Sequence, residues 1–150
     1  MDSLLATLND LYGPSGREEE VSLFIKVKIR SYSLENFQDS LGNLWAVKRK
    51  KGAKKIMLAA HMDELGLIVT HIDDKGFLRF DKVGGLTAYQ LVGTRVIFPG
   101  GTIGVVGEEK VKELKELDFP RLYIDIGASS KKEAQEKVRV GDIAAFHYPC

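Results

Sequence analysis

Apolar residues recur at helical spacing from the start of the chain: Leu4, Leu5, Leu8 and Leu11 share one face of an amphipathic helix over residues 2–12. Asp2 or Ser3 suits its N-cap by residue type, and Gly13-Pro14 stops it. Ser15-Gly16-Arg17-Glu18 reads as a capping box, in which the Ser15 hydroxyl accepts from the Glu18 backbone N–H and Glu18 reaches back. It opens a second helix over residues 16–31, with Val21, Phe24, Ile25 and Ile29 on one face. Glu18, Glu19 and Glu20 fall in its first turn, where the macrodipole favours negative charge, so they need no catalytic explanation.

Strand patterns follow. Leu34–Phe37 and Leu44–Val47 flank a turn at Asp39–Asn43, and Gly52 marks a hairpin tip within the basic run Lys48–Lys55. Ile56-Met57-Leu58-Ala59-Ala60 is a continuous apolar run, predicted to return from that tip as a strand buried on both faces. Periodicity alone does not separate it from a buried helix. Residues 65–72 and 77–83 form a hairpin around Asp73-Asp74-Lys75-Gly76. Asp caps tight turns, which accounts for that acidic pair without a metal, and His71 reads as a surface residue of its strand. Beyond Gly84, short segments at 94–98, 101–106, 122–126 and 142–146 suggest a small, mostly antiparallel barrel or sandwich. Two helices interrupt them. One covers residues 108–117, with Val111, Leu114 and Leu117 on one side; the other is opened by the capping box Ser130–Glu133, with Ala134 and Val138 inward. The texture changes near residues 64–66, from α/β before to β-rich after, which divides the chain into residues 1–64 and 65–150.

Composition narrows the class. The 150 residues, 44% hydrophobic and 29% charged, suit one ordinary domain or two small ones of a soluble protein. No apolar run approaches the roughly 20 residues of a membrane span, and the first residues lack the basic region of a signal peptide. Cys150 is the single cysteine, so no intrachain disulfide forms and a cytoplasmic location is expected. A net charge of +1 gives no electrostatic argument for a nucleic-acid partner. The basic run at 48–55 lacks interleaved aromatics and reads as a solvated loop.

The densest chemistry follows the apolar run, at His61, Met62, Asp63 and Glu64. Reactive groups collect where buried strands end, because there side chains meet solvent and ligand. His61 and Asp63 are two apart and point to one side if the extended conformation continues. A carboxylate that accepts the ring N–H fixes the imidazole tautomer, which suits a metal site. The same spacing equally suits a solvent-facing histidine hydrogen-bonded to a neighbouring acid.

The segments GPSGREEEV (13–21), DSLGNLWAVK (39–48), IMLAAHMDELGLIVTHIDDKGFLRFDKVGG (56–85), GVVG (104–107), LYIDIGASSKKEA (122–134) and VRVGD (138–142) together resemble the M42 family. These are dinuclear-metal aminopeptidases, among them the glutamyl and the tetrahedral aminopeptidases. The resemblance implies an α/β fold: the start of an α/β aminopeptidase catalytic domain (1–64), then an inserted PDZ-like β-barrel used for subunit contacts (65–150). It implies metal-dependent removal of N-terminal residues from peptides, homo-oligomers built through the β-rich domain, and two divalent ions, Zn or Co, per full-length site. By the same resemblance His61 matches the first metal-ligand histidine, and Asp63 the catalytic carboxylate that supports it. The family's bridging Asp, Glu-Glu pair, further carboxylate ligand and distal His are not matched, so the chain is expected to be an amino-terminal part that alone binds metal weakly or not at all. No nucleic-acid or membrane partner is expected. The alternative is an inactive assembly or regulatory fragment. Endoglucanase activity, a label some relatives have carried, needs two carboxylates across a sugar-binding cleft, and no such constellation of acids and aromatics is present.

Overall fold

The computed structural model describes residues 3–32, 35–111, 113 and 117–148. The positions Asp2, Leu34, Leu114 and Cys150, used above, lie outside the described residues. Two helices open the chain, α1 (Ser3–Asp10) and α2 (Glu19–Ile29), the second running into a 3-10 turn at Arg30–Tyr32. Of the predicted face of α2, Val21 is buried and Phe24, Ile25 and Ile29 are half-buried. The expected capping box at Ser15 is not made. Glu18 occupies the N-cap position without a side-chain cap, and its carboxylate accepts instead from the Gly16 N–H at 2.7 Å.

Strands β1 (Glu35–Gln38) and β2 (Leu44–Val47) form a two-stranded antiparallel sheet. Asp39 builds the turn between them, its carboxylate accepting from the Leu41 and Asn43 N–H groups, Asn43 Nδ2 and Trp45 Nε1 at 2.9–3.0 Å. The strand predicted at Ile56–Ala60 does not form. Residues 53–63 have no regular secondary structure, and Ile56 and Leu58 are 86% and 94% exposed. A strand exists through hydrogen bonds to its neighbours, and neither sheet of the described residues extends beside this segment. Gly52 does turn the chain, at positive φ, with the Ala53 N–H on the Lys50 carbonyl.

Six further strands close a barrel. They are β3 (Gly66–Ile72), β4 (Leu78–Val83), β5 (Arg95–Ile97), β6 (Ile103–Glu108), β7 (Leu122–Asp125) and β8 (Ile143–Phe146). Their order is β3-β4-β7-β6-β5-β8, with β8 returning to β3 and every pairing antiparallel. Period-two alternation sends Leu67, Val69, Leu78, Phe80, Val96, Val106, Leu122 and Ile124 into one core. A register shift in β3 between Val69 and His71 turns both Thr70 and His71 outward and returns Ile72 to the core. α3 (Lys131–Lys137) lies between β7 and β8 and is capped as expected, the Glu133 N–H donating to Ser130 Oγ.

Of the helix expected at 108–117, residues 112 and 114–116 lie outside the described residues; the described ones in that range are not helical, and Glu108 pairs with Leu122 as the end of β6. The Glu109 N–H prolongs the pairing by donating to the Arg121 carbonyl. Val111 and Leu117 pack on the core, as their apolar character predicts.

Candidate functional site

His61 and Asp63 lie in the irregular segment that leads into β3, and its far end is pinned by the loop between α1 and α2. Pro14 and Glu64 make a parallel bridge. The Glu64 N–H donates to the Gly13 carbonyl at 2.9 Å, and the Ser15 N–H to the Glu64 carbonyl at 3.1 Å. Two glycines permit this approach. A Cβ on Gly13 would stand 2.5 Å from Val21 Cγ2; one on Gly66 would stand 2.8 Å from Ile143 Cγ2 and 3.0 Å from Pro14 Cβ.

The bridge brings Ser15 against Asp63, whose Oδ2 accepts from the Ser15 hydroxyl. That hydrogen bond holds the Asp63 carboxyl below its usual range against the opposing effect of desolvation, with smaller help from its own backbone N–H and from His61. Glu64 goes the other way: half-burial pushes its carboxyl up, partly offset by the Gly13 N–H it accepts at 3.2 Å. His61 faces two acceptors through one nitrogen. Its Nδ1 is 2.9 Å from the Asp63 carbonyl oxygen and 3.3 Å from Asp63 Oδ1. Nδ1 therefore carries the hydrogen, and the Nε2 lone pair of the neutral ring is left to face outward. The imidazole is 85% exposed, and a groove of about 290 Å³ walled by Leu5, Leu8, Val21 and Ile25 opens beside it.

The structure thus sets the two sequence-selected residues side by side, although through a bend and not through a continuing strand. As a donor set they offer one imidazole nitrogen with an oriented tautomer, which fits a single position around a divalent cation. Among the described residues no group of three His, Cys, Asp or Glu side chains is placed to hold a metal ion. Sequence reasoning missed Ser15 and Glu64 as parts of this site. Ser15 matched a local capping pattern, and nothing in the sequence ties it to a residue 48 positions away. The acidic turn behaves as read: Asp73 accepts from the Lys75 and Phe77 N–H groups at 2.9 and 3.0 Å, and His71 is exposed on β3.

A closed antiparallel barrel preceded by two helices, with an oriented histidine at their junction, has close counterparts among peptidases. Residues 42–150 match the M42 glutamyl aminopeptidase family model. A provisionally named aminopeptidase of Acetivibrio thermocellus is 50% identical over 147 residues, covering 97% of this chain and 44% of its own. The TET aminopeptidase of a marine sediment Thaumarchaeota archaeon superposes with a TM-score of 0.89 at 33% identity, covering 97% of this chain and 44% of that one. The Pyrococcus horikoshii TET1 peptidase, which assembles into a tetrahedron or a large octahedral shell, gives 0.81 at 36% identity, covering 95% and 45%. The chain belongs to the M42 glutamyl aminopeptidase family. It spans less than half the length of these relatives.

Proposed function

We propose that this chain serves a metal-dependent aminopeptidase that removes N-terminal residues from peptides. The carrying observation is the oriented pair: His61 Nδ1–H on Asp63, in a chain of the M42 family. In this reading residues 1–64 begin the catalytic domain and 65–150 form the inserted PDZ-like domain. Closure of the six-stranded barrel around its own core supports treating it as a unit. His61 Nε2 is one ligand of a pair of divalent ions, Zn or Co, and Asp63 holds the ring in the ligating tautomer. When bound, such ions polarise the scissile carbonyl and lower the pKa of bound water. Among the described residues no further His, Cys, Asp or Glu side chain groups with His61 and Asp63 to complete a metal site. Homo-oligomers through the barrel are supported by the assembly of the P. horikoshii relative and by exposed Val92, Val105 and Val140. No helix among the described residues is long and apolar enough to cross a membrane; a cytoplasmic location rests on cysteine usage.

The test is release of p-nitroaniline from aminoacyl-p-nitroanilides with added Co²⁺ or Zn²⁺. The chain is assayed alone and mixed with the segment that the A. thermocellus relative carries beyond the matched region. Turnover in the mixture, abolished by His61→Ala, is expected. A folded chain that gives no turnover in either setting overturns the reading. A non-catalytic assembly role is favoured by one observation, the contrast between the self-contained barrel and the bare apolar run at Ile56–Leu58; light scattering that finds only compact monomer counts against it.

A further inference from the structure

We propose that Ser15 is a positioning residue for His61, acting through Asp63. Three observations on separate elements converge on it. The Ser15 hydroxyl, on the loop between the two helices, donates to Asp63 Oδ2. The other carboxylate oxygen, Oδ1, then faces His61 Nδ1 at 3.3 Å, beside the Asp63 carbonyl at 2.9 Å. The loop itself is locked in register by the Pro14–Glu64 bridge and by the close packing of Pro14 over Gly66.

An unanchored aspartate samples several staggered χ1 rotamers and a broad χ2, so its carboxylate has no single direction. Anchoring one oxygen leaves the other with a single direction, and that direction is the imidazole N–H. Ser15 is available for this because it does not cap α2: Glu18 holds the N-cap position. The two-part seat offered to Nδ1, one backbone and one carboxylate oxygen, favours the tautomer whose Nε2 is a bare lone pair. The consequence for function rests on the proposed reading of His61 as a ligand; the positioning itself does not.

The relay is read without any catalytic assay. Ring ¹⁵N–¹H NMR of histidine-labelled chain separates the two tautomers, and only His61, His71 and His147 contribute signals. At a pH where the ring is neutral, His61 is expected to be chiefly the Nδ1–H tautomer. Ser15→Ala lowers the ratio of the two tautomers roughly fivefold, the worth of one ordinary hydrogen bond, and Ser15→Thr restores it. Asp63→Asn lowers it too, and adding Ser15→Ala to Asp63→Asn changes it no further, because the effect passes through the carboxylate. His71 on the barrel reports in each variant that the fold is intact. An unchanged tautomer ratio in Ser15→Ala overturns the proposal, as does a Ser15 effect that adds in full to that of Asp63→Asn. Zn²⁺ added to the labelled chain mixed with the segment that the A. thermocellus relative carries beyond the matched region separates the two readings: if the Nε2 resonance fails to respond there while the variant series behaves as stated, the ligand role of His61 falls and the positioning role stands.

Discussion

At Asp39 a single side chain does the work of a turn. It is held well below the usual carboxylate range, to about 2, first by the Trp45 indole N–H, then by Asn43 and the backbone N–H groups it accepts. Because the folded value lies below the unfolded one, its contribution is complete above pH ~4 and is lost as pH falls toward 2. Trp45 is the only tryptophan, so its emission reports the loss directly. The expected midpoint lies near pH 2 and the transition is absent in Asp39→Asn; a midpoint near pH 4 would contradict the geometry. Tyr12 runs with the opposite sign. Its hydroxyl donates to the Ile143 carbonyl at 2.7 Å, tying the end of the α1 segment to the barrel, and burial raises it to about 12. The attachment is therefore complete below pH ~10 and lost as pH rises through 12. Spectrophotometric titration is expected to show one late-ionising tyrosine, missing in Tyr12→Phe.

Two identical-looking capping signatures meet different fates as elements. Ser130 caps α3, only seven residues long, and Glu133 returns the bond by accepting from the Ser129 N–H and hydroxyl. Ser130→Ala is expected to cost about 1 kcal/mol in chemical denaturation. Ser15, with the same spacing to Glu18, serves Asp63 instead, so Ser15→Ala should leave the helical circular dichroism signal of α2 unchanged. Serine and a glutamate three residues on are legible in the sequence; which acceptor the hydroxyl finds is not, because the competitor comes from a distant segment. The same logic applies at Glu108, the first residue of the helix expected at 108–117, which the ladder from β6 to β7 claims for a strand. Close contact between elements is also testable at Gly66. Gly66→Ala forces a Cβ to within 3.0 Å of Ile143, with Pro14 and the Ala144 carbonyl hardly further away. A loss of roughly 1–3 kcal/mol is expected, with Pro14 and hence Ser15 displaced along with it.

At the scale of the whole molecule, burial is uneven. Ile124 and Leu67 are fully buried in the barrel, while Leu41, Ile56, Met57 and Leu58 stand 74–94% exposed. Ile124→Ala should therefore cost roughly 2–5 kcal/mol, and Leu58→Ala should stay within about 0.5 kcal/mol in this chain. Hydrogen exchange is expected to divide the same way, with slow amides in the barrel ladders and fast ones from 53 to 63. The apolar run carries the signature of a doubly buried strand, yet the described residues place no strand beside it.

What the sequence determined by itself is what local chemistry can decide. Alternation of period two, turn residues such as Asp39 and Asp73, and the Ser130 cap specify strands, hairpins and a helix start from neighbours in the chain. They made the β-rich half legible nearly strand by strand, and they put His61 and Asp63 within reach of each other. The tertiary structure decided the barrel's closing order, the partner of Ser15 and the exposure of residues 56–60. Each of those depends on a competitor, or on the lack of one, from a remote segment: a carboxylate 48 residues away, a ladder reaching from β6 to β7, or a neighbouring strand for the apolar run.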